Sequence, residues 1–184
     1  MLEPTENAIP DVGSTNFRHL VESLSADDFA TRHAAADRLF GQGRAALDAI
    51  LGGMAHPNPK VRSHCVGLLD HLADERCVEP LRVALRDPVA DVRRHAIHSI
   101  SCRRCKPAPL KMDVTGYLIE RALTDPSVRV RQVAAHALGH QAPDPRAVAA
   151  LRTILRGHSN AKLLSRARYS LDQHERGLAA AGPV

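Results

Sequence analysis

The sequence predicts an all-α fold, a right-handed α-solenoid of about five helical hairpins. Aromatic residues make up only 3% of the 184 residues and there is no Trp, so the core must be aliphatic. A chain rich in Ala, Leu and Arg suits closely packed helices, whereas strands favour β-branched and aromatic residues. A short pattern led by Arg also recurs along the chain, which is typical of repeat architectures.

The repeated pattern is an Arg, then small or apolar residues three and four positions later, then a larger apolar residue at seven. It begins at four arginines spaced 30, 31 and 38 residues apart: Arg32, Arg62, Arg93 and Arg131. A fifth, degraded copy begins at Leu164, where Arg168 takes an expected apolar position, as suits a terminal repeat with a solvated outer face. Offsets 3, 4 and 7 lie on one side of a helix, so each copy predicts a helix buried along one stripe.

Each repeat is predicted to hold a first helix and then the helix led by Arg, called the second helix below. The first helices are predicted at 17–24, 44–54, 76–86, 114–124 and 145–156, and the second helices at 27–40, 59–73, 90–102, 128–140 and 160–175. Asp87-Pro88 and Asp125-Pro126 mark turns between them, because Asp accepts backbone N–H groups at a helix start and Pro fits the first turn.

The domain organisation follows from these repeats. We expect one array over 17–176, interrupted by an insertion near 103–114, where the surplus residues CKPAPLKMDVTG contain two prolines. A loop placed there could border a site on the adjoining second helix. The ends at 1–16 and 177–184 are expected to be flexible.

Two segments, DPVADVRRHAIHSI and TDPSVRVRQVAAHALG, resemble HEAT repeats of the short, PBS-lyase-like kind, and the resemblance covers residues 27 to about 175. It implies that the second helices line the concave face. It also implies that Arg32, Arg62, Arg93 and Arg131 form an ion-pair ladder with turn aspartates of neighbouring repeats. Deoxyhypusine hydroxylases of similar architecture carry His-Glu pairs as iron ligands on their inner helices. The one His-Glu here is His174-Glu175, expected at the frayed C-terminal end, which argues against that activity.

Histidines concentrate on the face of the second helices opposite the buried stripe. At offsets 2, 5 and 9 of the three central repeats, six of nine residues are His and one is Cys102. The candidate partner-contact residues are His64, His71, His95, His98, His136 and His140. The pairs His98 with Cys102 and His136 with His140 have the i,i+4 spacing that lets two side chains on one helix bind one metal.

A metal site is therefore one hypothesis for this face. Its candidate ligands are His71, His98, Cys102, Cys105, His136 and His140. Mixed imidazole and thiolate ligands suit zinc or another late first-row ion better than magnesium or calcium. The alternative is that the histidines are polar contact residues for a partner.

The cysteines allow a further use. Cys102-Arg-Arg-Cys105 is a single CxxC whose flanking cations favour the thiolate form, so it is either a redox-sensitive pair or two cysteines without a role. Cys65 at offset 3 is predicted to be in the core, and no role is assigned to Cys77. Because the N-terminal residues lack the basic and apolar regions of a signal peptide, we expect a cytoplasmic protein whose cysteines are thiols or metal ligands.

Charge and pattern leave two main functions. The net charge of +5 comes from Lys and Arg interspersed with Asp and Glu, so we expect only weak, non-specific contact with nucleic acid. No stretch approaches eighteen uninterrupted apolar residues, so we expect no contact with membranes. The first hypothesis is a non-enzymatic scaffold that binds a protein or peptide segment on its concave face. The second is a metal-binding or redox-active module built on the His/Cys face.

Overall fold

The computed structural model describes residues 12–106 and 108–181, and over these residues the chain forms five antiparallel helical hairpins and no strand. The helices are α1 (Val12–Ser23), α2 (Phe29–Gly41), α3 (Leu47–Gly53), α4 (Pro59–Leu72), α5 (Val78–Ala84), α6 (Ala90–Ser101), α7 (Val114–Thr124), α8 (Val128–Leu138), α9 (Pro145–Gly157) and α10 (Ala161–Ala181). Short 3₁₀ turns at Gly43–Ala46 and Glu75–Cys77 precede α3 and α5. The predicted all-α solenoid is confirmed.

The helix starts follow the expected capping chemistry. Asp28 and Asn58 accept backbone N–H groups of the first turns of α2 and α4, at 2.7 and 2.9 Å. Asp144 does the same for α9 at 2.8 Å, with Pro145 in the first helical turn. These side chains satisfy donors that would otherwise have no partner at the start of a helix, and so fix where each helix begins.

The aliphatic core runs through the hairpins along the predicted stripe. Of the residues at offsets 3, 4 and 7 from the four arginines, all are buried except Ala36, which is partly buried: Ala35, Leu39, Cys65, Val66, Leu69, Ala96, Ile97, Ile100, Ala134, Ala135 and Leu138. Cys65 is fully buried, and burial raises the pKa of its thiol to about 12. The prediction that Cys65 is a core residue is therefore confirmed.

The arginine ladder has two carboxylate rungs rather than four. Arg62 donates to both oxygens of Asp87 at 2.7 and 3.0 Å, and Arg93 donates to both oxygens of Asp125 at 2.8 Å. Each rung joins a second helix to the turn of the next hairpin. Each arginine also donates to carbonyls of its own turn, such as Asp87 O for Arg93 at 2.7 Å.

The two terminal arginines correct the prediction. Arg32 and Arg131 donate only to turn carbonyls, with 2.6 Å from Arg131 to Asp125 O, and pair with no carboxylate among the described residues. Asp87 and Asp125 occupy the same position in their turns. In the turn next to Arg32 this position holds His56, and in the turn next to Arg131 it holds His158. An acidic partner is absent there because the sequence supplies none.

Acid should weaken the two rungs. Burial alone would raise the pKa of Asp87 and of Asp125, but hydrogen bonds from Arg62, Arg93 and nearby backbone N–H groups outweigh it, and both pKa values are lowered. The stabilisation is therefore full above the unfolded value of about 3.9 and is lost as pH falls through the lower folded pKa. In urea unfolding, wild type should lose more stability between pH 7 and pH 3 than Asp125→Asn; an equal loss would contradict the assignment.

The ends of the array differ from the predicted limits of 17 and 176. Helix α1 already begins at Val12, and α10 continues to Ala181, so residues 177–181 are helical. Residues 1–11 of the predicted N-terminal extension and 182–184 of the predicted tail lie outside the described residues. No helix in the described part of the chain is long and apolar enough to span a membrane.

His174 fastens the last hairpin. Its side chain is 1% exposed; Nε2 donates to Leu138 O at 2.9 Å, and Nδ1 accepts from Asp144 N at 3.0 Å. It therefore bridges α10 to the turn after α8, whereas the sequence placed it at a frayed end. The helix covers this turn because α10 packs against both α8 and α9.

Candidate functional site

A cavity of about 530 Å³ lies between α6, the loop that follows it, and α8. It is called the α6–α8 cavity below. Its lining residues are His98, Ser101, Cys102, Arg103, Arg104, Val133, His136, Ala137 and His140. The fold thus brings four of the six predicted metal ligands to one cavity, and the first residues of the predicted insertion line it.

His98 is held at the edge of this cavity by an aspartate of the preceding hairpin. Its Nε2 lies 3.3 Å from Asp70 Oδ2, and the imidazole side chain is 58% exposed. Asp70 is in turn fixed by the buried Ser99, whose hydroxyl lies 2.6 Å from Asp70 Oδ1 and 2.7 Å from Val66 O. One nitrogen of His98 is therefore occupied, and Nδ1 remains for a ligand.

Cys102 and Cys105 are joined as a disulfide, where the sequence predicted thiols or metal ligands. Cys102 caps the C-terminal end of α6: its N–H still donates to His98 O at 3.0 Å, but its ψ is already extended. The chain then bends back and brings the two Cα atoms to 5.6 Å, within the usual range for a disulfide. One donor atom from each of His98, Cys102 and Cys105 lies within 4.8 Å of the others.

Two further imidazoles, His136 near the end of α8 and His140 in the turn that follows, lie across the cavity. His136 Nε2 and His140 Nε2 are 3.4 Å apart, and the ring centroid of Tyr169 on α10 lies 5.6 Å from that of His136 and 6.1 Å from that of His140. Burial lowers the pKa of His136, and the neighbouring His140 and Arg166 lower it further. His136 is therefore neutral at neutral pH and can stack, accept a hydrogen bond or bind a metal.

His71 is separate from these groups. It is exposed at the end of α4 and packs edge-on against Phe40 of α2, with ring centroids 5.6 Å apart. It does not line the α6–α8 cavity. The predicted set of six ligands thus divides into His98 with the two cysteines, the His136–His140 pair, and His71 alone.

His64 and His95, two of the predicted contact residues, are only partly exposed. His95 Nδ1 donates to Ser63 O at 2.9 Å, and its Nε2 accepts from Arg94 at 3.1 Å. Burial lowers the pKa of His64, as do the nearby Arg32 and His95. Part of each imidazole ring is therefore packed against neighbouring helices. Less of the two rings is exposed to a partner than the sequence predicted.

Two residues of this surface were missed by the sequence analysis. Tyr169 and Phe40 are each 44% exposed, unusually high for large rings, and both contact the predicted histidines. Tyr169 stands at offset 5 from Leu164, the offset of His98 and His136, so the same count extended to the degraded repeat would have found it. Phe40 lies one position before offset 9, outside the pattern.

Comparison with known proteins agrees with this architecture. The HEAT repeats family matches residues 46–111. The solved complex of CpcE and CpcF of phycocyanin lyase from Nostoc sp. PCC7120 is similar with a TM-score of 0.70 at 17% identity, over 85% of this chain and 98% of that chain. A designed armadillo repeat protein in complex with the peptide (KR)4 is similar with a TM-score of 0.53 at 14% identity, over 90% of this chain and 89% of that chain.

The sequence has no significant match among curated proteins. At these identities the two solved structures bear on the fold alone, while the family match bears on the repeats themselves. The family match covers the second and third hairpins, and the similar structures agree with the array as a whole. The chain therefore carries HEAT repeats at residues 46–111, within an array that has the fold of a HEAT-like solenoid.

Proposed function

We propose that this protein is a non-enzymatic scaffold that binds an extended segment of a partner protein along its second helices. The observation that carries the proposal is the row of accessible rings on that face, next to a cavity. Phe40 and His71 lie at one end, and His136, His140 and Tyr169 at the other. Aromatic rings give large contact area with few torsions to fix, which is why they are enriched in binding surfaces.

The packing of the helices supports a concave position for this row. Successive second helices, from α4 to α10, contact one another more extensively than successive first helices do. An array whose second helices are more closely spaced curves toward them, as stacked helical repeats generally do. A concave groove lets the second helices of several repeats contact one bound segment.

The charge of the cavity favours a partner segment with acidic side chains. Arg103 and Arg104 line it, both exposed, and neither forms an ion pair with a carboxylate in the described part of the chain. A guanidinium binds a carboxylate through paired hydrogen bonds. The acidic side chain would enter between α6 and α8 while the remaining segment covers the rings.

Both similar structures are complexes, one of two proteins and one of a repeat protein with a peptide. Their likeness to this chain is a likeness of fold. It supports the proposal because a solenoid of this kind offers a long groove to a partner, and not because the partner is shared.

The test is selection of random peptides displayed on phage against the full chain. Recovered peptides should be enriched in Asp and Glu. Tyr169→Ala combined with Arg104→Ser should weaken their binding about tenfold or more, which corresponds to a loss of about 1.4 kcal/mol or more. Val83→Ser is the control. Val83 is 67% exposed, but it lies on α5, a first helix, and so outside the proposed binding surface. Equal weakening by the control, or failure to recover binders, would refute the proposal.

A further inference from the structure

We propose that Cys102 and Cys105, when reduced, bind a zinc ion together with His98, and that oxidation of the same two sulfurs to the disulfide releases it. The proposal is independent of the scaffold function. It assigns three of the six ligands expected from the sequence and excludes His71, His136 and His140 from the donor set.

The donor positions fit this assignment. One donor atom from each of the three residues lies within 4.8 Å of the other two, on the last turn of α6 and the loop that follows. Zinc binds sulfur at about 2.3 Å and imidazole nitrogen at about 2.0 Å, so its ligands lie close to one another. Two thiolates and one neutral imidazole give a soft donor set that prefers zinc over harder cations. Water would complete a tetrahedral shell on the cavity side.

The contact between Asp70 and His98 is the second observation that points to a metal. A metal-binding histidine commonly donates its other ring N–H to a carboxylate, which fixes the ring and its tautomer. Here Asp70 Oδ2 lies 3.3 Å from Nε2, and Ser99 holds Asp70 from the opposite side at 2.6 Å. The ring is thereby oriented with Nδ1 left for the ion.

The two sulfurs can balance the charge of the ion, although several cations lie nearby. Arg103, Arg104 and Lys106 lie beside the two cysteines along the chain, and Arg103 lines cavities on both sides of Cys102. Two thiolates balance the charge of one Zn²⁺, so the ion needs no carboxylate in its donor set.

Metal and disulfide are mutually exclusive states of the same sulfurs. With hydrogen peroxide as the oxidant, the two thiolates lose two electrons and form one S–S bond. The peroxide accepts these electrons and two protons and leaves as two molecules of water, and Zn²⁺ is released. A dithiol reductant reverses the sulfur chemistry: it gives two electrons to the S–S bond, which returns to two thiolates, and is itself oxidised to a disulfide.

The test uses the full chain, reduced and freed of metal, with Co²⁺ as a spectroscopic substitute for zinc. We expect one cobalt per chain, with the visible absorption of tetrahedral cobalt and a thiolate charge-transfer band. Peroxide should abolish both bands and release zinc from the zinc-loaded protein, one equivalent per chain. Failure of the reduced wild type to bind cobalt, or retention of zinc after full oxidation, would overturn the proposal.

Variants separate the donor set from its surroundings. Cys102→Ser and His98→Asn should each lose the cobalt spectrum, and Asp70→Asn should weaken binding about 10- to 100-fold, as loss of an outer-shell partner does. His71→Ala, His140→Ala and Cys77→Ala should bind like wild type. Loss of binding in His140→Ala, or its survival in Cys102→Ser, would show the donors to be wrong; circular dichroism confirms that each variant is folded.

Discussion

Replacing Arg93 with methionine should lower the free energy of unfolding by about 3–5 kcal/mol, because it leaves a buried aspartate without its main partner. The side chain of Asp125 is fully buried, and that of Arg93 is 6% exposed. After the change, only Arg121 at 3.5 Å and the N–H of Ser127 would remain to stabilise the carboxylate. The variant would also lose two hydrogen bonds to turn carbonyls.

Urea unfolding monitored by circular dichroism measures this effect. Arg146→Met is the matched control: Arg146 also donates to both oxygens of an aspartate, Asp113, but both side chains are more than half exposed. An exposed pair contributes about 1 kcal/mol or less. Adding Asp125→Leu to Arg93→Met should restore much of the stability, since it removes the uncompensated charge. Equal losses for Arg93→Met and Arg146→Met would contradict the role of burial.

The second large effect is expected at Cys65, where Cys65→Asp should destabilise the protein by about 3–5 kcal/mol. The thiol is fully buried next to Gly53 and Val21, in space too tight for a Cβ on Gly53. Burial is the one cause that acts on the pKa of the Cys65 thiol, so in the described part of the chain a carboxylate there has no cation to pair with. It must be buried charged or be protonated at a cost.

Cys65→Ala is the control, because it removes the sulfur without adding charge and should cost far less. Thermal and urea unfolding of the two variants give the difference. That difference should shrink as pH falls, because the buried acid has a raised pKa and becomes neutral before its unfolded form does. Equal stabilities of the two variants at neutral pH would show that the site admits water or a cation.

The sequence determined the fold well because one local signal was repeated. The buried stripe at offsets 3, 4 and 7 depends only on helix geometry, and Asp28, Asn58 and Asp144 mark helix starts through bonds to their own backbone. Such signals act within a few residues and require no knowledge of tertiary contacts. The arginine ion pairs were only partly predictable. Arg62 could be recognised from its own repeat, but its partner Asp87 belongs to the turn of the next repeat.

The site was predicted less completely, because equivalent offsets do not guarantee proximity. His71 shares an offset with Cys102 and His140, yet it contacts Phe40 on the preceding repeat instead of the cavity. The approach of Cys105 to Cys102 depends on the path of an irregular loop, which has no periodic signal. His174 appeared to lie at a frayed end because its two partners, Leu138 O and Asp144 N, are backbone atoms more than one helix away.

Buried polar contacts between neighbouring hairpins are unevenly distributed, so the junctions should differ in stability along the solenoid. The second and third hairpins share the Arg62–Asp87 rung, the third and fourth share Arg93–Asp125, and the fourth and fifth are joined through Ser170 and His174. In the described residues, the first and second hairpins are joined by two ion pairs that each have an exposed partner, Glu22 with His56 and Asp27 with Lys60. In an array that unfolds by nearest-neighbour steps, the weakest junction opens first. We therefore expect the N-terminal hairpin to open first, and the α6–α8 junction to open late.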